Sequence, residues 1–161
     1  MKSETNMITY QALPTEAVRA LQSGGRDAYG NLPERAVSEG GATPCRHCLR
    51  NIPEGEAMLI LAHRPFDGLH PYAETGPIFL CADTCAQGGG DDATPEALSS
   101  PEYLVKGYSA ADRIVYGTGD IVPTEAIAQR AADLLKQVEV EYVHVRSARN
   151  NCYIARIDAS A

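Results

Sequence analysis

No apolar run in this 161-residue chain approaches the ~20 residues that a helix needs to cross a bilayer. Membrane insertion is therefore not expected. The first ten residues, MKSETNMITY, lack the apolar core and small-residue cleavage site of a signal peptide, so the expected location is cytoplasmic. Positive charge is short as well. Lysine and arginine number 14 against 21 acidic residues, for a formal charge of −7. Nucleic-acid affinity comes largely from neutralising phosphates, so no general nucleic-acid binding is expected. Arg19, Arg26, Arg35, Arg46, Arg50 and Arg64 leave room for a local patch, but scattered arginines are commonly solvated surface.

Familiar chemical signatures are missing too. There is no paired-carboxylate motif, no serine triad and no cofactor fingerprint. The glycines of Gln87–Thr94 are not followed by Gly-Lys-Ser/Thr and make no phosphate loop. Gly117-Thr118-Gly119 is too short for a dinucleotide fingerprint and reads as a bend.

What is present suits one globular domain spanning 1–161, large enough to bury its own core. The apolar fraction is 44 % and the charged fraction 22 %. Short runs ended by turn residues predict strands at Met7–Ala12, Ala57–His63, Pro77–Ala82, Tyr103–Tyr108, Arg113–Tyr116, Glu139–Arg146 and Cys152–Asp158. In Glu139–Arg146, alternation puts Tyr142, His144 and Arg146 on one face and Val143 and Val145 on the other. A short early helix is predicted over Thr15–Leu21. The main helix starts after Pro123 and runs over Thr124–Gln137, with Thr124 as cap and Ile127, Ala131, Leu134, Leu135 and Val138 at helical spacing. Ser23–Thr43 shows no period and reads as a long loop. Short turns between strands predict an α+β fold, with an antiparallel meander sheet or partly open barrel.

The chemistry sits in the cysteines. Five is a high count, and an odd count in a cytoplasmic chain argues against a disulfide framework. Cys45-Arg46-His47-Cys48 has the spacing with which two thiolates grip one tetrahedral ion from a tight turn. Cys81-x3-Cys85 offers a second pair, 32 residues further on. If Ala57–His63 and Pro77–Ala82 pair antiparallel, the second pair returns to the first. One closed zinc site made by Cys45, Cys48, Cys81 and Cys85 is then expected. Four partly buried thiols that never meet is the competing expectation. His47, between two ligands, is expected to point away from the ion. His63 and His70 are substitute ligands at most.

The stretches PCRHCLR (44–50), PYAE (71–74), GPIF (76–79), YVHVR (142–146) and NCY (151–153) resemble a bacterial family catalogued as a domain of unknown function. The resemblance runs along nearly the whole chain and implies no activity. It implies that some relatives lack a ligand at the position of Cys48 and that others carry histidine at that of Cys81, an exchange zinc tolerates. It also implies that Cys45, Arg46, Tyr72, His144 and the Cys152-Tyr153 pair recur where the second thiol is lost.

That recurrence suggests a polar cluster used independently of metal. Cys45 with His144 would form a nucleophile–base pair, with Arg46 recognising a carboxylate or phosphate and Tyr72 nearby. Alternatively, these groups fix the fold by hydrogen bonding, with Glu56 pairing to Arg46. Two readings stand: a binding or regulatory module with a structural zinc site, which leaves room for a homodimer, or an enzyme acting on a small molecule through Cys45, Arg46, Tyr72 and His144.

Overall fold

The computed structural model describes residues 8–160. Eight strands and two helices follow in the order β1 (Ile8–Gln11), α1 (Thr15–Gln22), β2 (Glu34–Val37), β3 (Ala57–His63), β4 (Gly76–Cys81), β5 (Glu102–Tyr108), β6 (Asp120–Pro123), α2 (Ile127–Leu135), β7 (Tyr142–Ser147) and β8 (Tyr153–Ala159). They form two antiparallel sheets, neither of them closed: a five-stranded sheet in the order β1-β8-β7-β5-β6 and a three-stranded sheet in the order β2-β3-β4. The α+β class, the late helix and the short early helix match the sequence pattern. Met7, placed in the first predicted strand, lies outside the described residues.

The apolar period of α2 explains where it lies. Ile127, Ala131 and Leu134 are buried against Val105, Val143, Val145 and Ile157 on one face of the large sheet. Burial of the larger of these side chains, such as Ile127 and Leu134, contributes roughly 1.5–3 kcal/mol each relative to exposure. The helix is shorter than its pattern. Its first turn, Thr124–Ala126, is a 3-10 turn, and Thr124 donates its hydroxyl to the Ser100 carbonyl instead of capping. Val138 falls past the helix end and is 97 % exposed, so it is not part of the apolar face.

All of β7 from Tyr142 to Arg146 is buried, because both faces of the sheet are covered. Val143 and Val145 face α2, and Tyr142, His144 and Arg146 belong to the other face. That second face meets the small sheet, where His63 of β3 lies 5.6 Å, ring to ring, from Tyr153 of β8.

Two elements differ from the sequence expectation. Within Ser23–Thr43, residues Glu34–Val37 form an edge strand on β3. Its side chains are mostly exposed, so it has no apolar alternation to read. Arg113–Tyr116 is not a strand and makes only one bridge, Tyr108 to Ile114. Asp112 takes a left-handed φ of 61°, which turns the chain tightly, and β6 pairs with β5 in place of the predicted segment.

Candidate metal centre

Pro44 and Asn51 bridge as the base of a very small hairpin. The Cys45 amide donates to the Arg50 carbonyl at 2.9 Å, and the Leu49 amide donates to the Cys45 carbonyl at 2.9 Å. Leu49 closes the turn with a φ of 58°, a region that costs a branched L residue energy unless its surroundings hold it there. Here the side chain is 2 % exposed and packs in the main core. The turn points Cys45 and Cys48 to one side.

The second pair comes back as the register requires. β3 and β4 are antiparallel, with Met58 opposite Cys81. Cys45 bridges Phe79 of β4 in parallel, and the Arg46 amide donates to the Phe79 carbonyl. Cys81 at the end of β4 and Cys85 four residues on therefore arrive beside the hairpin. Helix α1 holds that segment: Arg19 donates to the Cys85 carbonyl at 2.7 Å, and Gln22 donates to the carbonyls of Cys81 and Asp83 at 2.8 and 2.9 Å.

All four sulfurs lie within 4.8 Å of one another. Cys45 Sγ is 3.9 Å from Cys85 Sγ, and Cys48 Sγ is 4.0 Å from Cys81 Sγ. Four thiolates bonded at ~2.3 Å to one tetrahedral ion stand ~3.8 Å apart, so the group has the span of a single-ion site. All five cysteines of the chain are free thiols. The cluster can hold one metal ion.

The electrostatics point the same way. Hydrogen bonds from the thiols of Cys48 and Cys81 hold Cys45 far below the usual thiol range. The bonds of Cys81 to Cys45 and then to Cys48 push Cys81 far up, and Cys48 is raised first by its bond to Cys45. Burial pushes Cys85 up to about 12. One thiolate is accommodated, but four need a cation among them.

Groups around the sulfurs are arranged for thiolate. The amides of His47 and Cys81 approach Cys45 Sγ at 3.4 and 3.3 Å. His47 does not point away from the cluster, as its position between two ligands had suggested. It is fully buried, its Nδ1 stands 3.1 Å from Cys85 Sγ, and its Nε2 stands 2.8 Å from the Thr15 hydroxyl. The partner that turns it inward, Thr15, is 32 residues away, and no local pattern announces it. His63 and His70 lie outside the four-sulfur group.

Gly88 crosses closely behind the site. A Cβ there would stand 2.2 Å from the Cys48 carbonyl oxygen, so only glycine fits without moving the backbone.

The polar residues singled out from the sequence are spread over different surroundings. Cys45 belongs to the sulfur cluster. Arg46 is 3 % exposed and donates to the carbonyls of Tyr153 and Pro44. Glu56 is exposed and does not pair with it; the two carbonyls, nearer in the fold, take that role. Burial lowers the Arg46 guanidinium to about 10. His144 is enclosed by the rings of Phe66, Tyr108, Tyr142 and Tyr153, and its Nδ1 accepts from Arg146 at 3.0 and 3.3 Å. Burial and then the Arg146 charge hold its pKa well below the usual histidine value. Tyr72 is half-buried, with its hydroxyl on that of Tyr116. No side-chain hydrogen bond joins any two of Cys45, Arg46, Tyr72 and His144 among the described residues.

A family model described as "Protein of unknown function (DUF1203)" matches residues 42–159, a span that takes in all four clustered cysteines. No curated protein and no solved structure matches the chain.

Proposed function

Because the chain belongs to that DUF1203 family, whose description assigns no activity, we propose its role from the site: a small cytoplasmic binding or regulatory module built around one structural zinc ion. The mutual approach of four sulfurs within 4.8 Å carries this reading. A four-thiolate shell leaves no coordination position for water or substrate, which is the arrangement of structural zinc. Thiolate ligands in tetrahedral array favour zinc over the harder magnesium and calcium ions.

The surroundings add support. Zinc with four thiolates carries a net charge of −2, and the adjacent buried Arg46 has no carboxylate partner among the described residues. It offers part of the offsetting charge. The Thr15–His47–Cys85 chain supplies the kind of outer partner that orients a ligand and tunes a metal. The enzyme reading has less behind it. The proposed nucleophile, Cys45, is one of the four ligands, and the proposed base, His144, has its Nδ1 already accepting from Arg146.

The test is elemental analysis of protein purified without chelator. One zinc per chain is expected, falling well below one in Cys48→Ser, where a weak hydroxyl replaces a thiolate. Wild-type protein free of zinc that forms a Cys45–Cys48 disulfide under mild oxidant would overturn the metal reading in favour of a redox pair.

A further inference from the structure

Two guanidinium groups, those of Arg46 and Arg146, are buried between the sheets, and only one of them meets a carboxylate among the described residues. Arg146 is 2 % exposed. Its Nη1 donates to the Asn151 carbonyl at 3.2 Å, and its Nη2 meets a Glu74 carboxylate oxygen at 3.0 Å. Arg46 is equally buried and pairs with no carboxylate among the described residues. Between the sheets lies a cavity of about 240 Å³ lined in part by His63, Glu74, Arg146, Asn151, Cys152 and Tyr153. Its size suits a small organic acid or a phosphate group.

One buried polar atom at this place lacks a partner. His63 lines the cavity, and its Nε2 is buried with no hydrogen bond. An unpartnered buried donor or acceptor is costly, so the fold gains when a ligand supplies the missing partner. Glu74 is the single carboxylate among the six lining residues named above, and its side chain is 42 % exposed while that of Arg146 is 3 % exposed. It is a solvent-exposed carboxylate set on a buried guanidinium.

We propose that this cavity binds a small oxyanion, a carboxylate or a phosphate group, which replaces Glu74 on Arg146 and takes the unused donor of His63. The guanidinium fork matches such an anion in two parallel hydrogen bonds, geometry that a lysine would not provide. The local field agrees: after burial itself, the charges of Arg46, Arg64 and Arg146 contribute to lowering His63 to about 4. The site deepens the binding-module reading by giving it a ligand class, and it does not depend on the metal.

The experiment is a titration of the full-length, zinc-analysed protein with inorganic phosphate and, separately, with acetate, at constant ionic strength set with chloride. Imidazole and guanidinium NMR signals of His63 and Arg146 are followed. A saturable shift of both is expected with one of the two probes, and which probe wins identifies the source of the anion. Glu74→Gln removes the competing carboxylate and is expected to tighten that binding about tenfold, the worth of one charged hydrogen bond. His63→Gln is expected to weaken it, without loss of fold. No saturable shift with either probe, in wild type and in Glu74→Gln, overturns the proposal. So does binding that neither substitution changes. Zinc content of the same samples separates this failure from failure of the metal reading.

Discussion

His47 Nδ1 stands 3.1 Å from Cys85 Sγ, and the other nitrogen of the same ring meets Thr15. Helix α1 thus reaches the sulfur cluster through one imidazole. Outer partners of this kind are typically worth 10–100-fold in metal affinity. His47→Ala is expected to keep all four ligands and bind zinc, yet to lose it to a chelator at roughly 10–100-fold lower chelator concentration. Competition with a chromophoric chelator measures this. An unchanged midpoint would mean that the ring contributes packing alone.

Thiolate bound to metal is a poor nucleophile toward alkylating reagents. In zinc-loaded protein, Cys45, Cys48, Cys81 and Cys85 are expected to resist iodoacetamide, while the partly exposed Cys152 reacts first. Peptide mass spectrometry before and after chelation reads the order. Equal labelling of all five without chelator would count against a shared ion.

Arg46 and His144 are both buried in satisfied hydrogen bonds, which favours a role in holding the fold. Arg46→Ala removes a buried donor from the carbonyls of Tyr153 and Pro44, and His144→Ala leaves Arg146 short of an acceptor. Each is expected to lose ~1–3 kcal/mol in a denaturant melt. Melts of both variants that overlay wild type would return these residues to the list of functional groups.

Acid should weaken the fold through its buried histidines. His63 is lowered from 6.5 to about 4, and His144 is lowered well below 6.5, in each case by burial first. A depressed histidine pKa means that the unfolded chain binds more protons in this range. The contribution to stability is full above pH 6.5 and is lost as pH falls toward 4. Metal-free protein should therefore show a stability slope across this window, and His63→Gln should reduce the slope by up to one proton. A flat profile over that range in chemical denaturation would contradict the burial of these rings as neutral groups.

The strong apolar signals were readable. Ala57–His63 is a strand with the bounds its composition implies, and Ile127, Ala131 and Leu134 form the buried face of the main helix. The convergence of Cys81 and Cys85 on Cys45 and Cys48 followed from one antiparallel pairing of neighbours in sequence. Features that depend on distant partners were not readable. β2 exists because β3 offers it a free edge, not because its own residues alternate. The inward turn of His47 depends on Thr15, and Glu74 finds Arg146 only across the gap between two sheets. Val138 shows the opposite failure, an apolar residue in register with the helix but beyond its end.

Gly88 lies against the backbone of Cys48, its amide donates to the His47 carbonyl, and the next two residues join β1: Gly89 bridges Gln11, and the Gly90 amide donates to the Tyr10 carbonyl. The segment after Cys85 is thus a strap drawn across the back of the cysteine hairpin and fastened to the edge strand of the larger sheet. For Cys48 to swing away from an ion, the strap has to lift, and lifting it tugs on β1. Metal exchange should then be gated by a local opening of that edge. Its rate would follow the detachment of β1, a slow mechanical event, instead of the intrinsic lability of a zinc–sulfur bond.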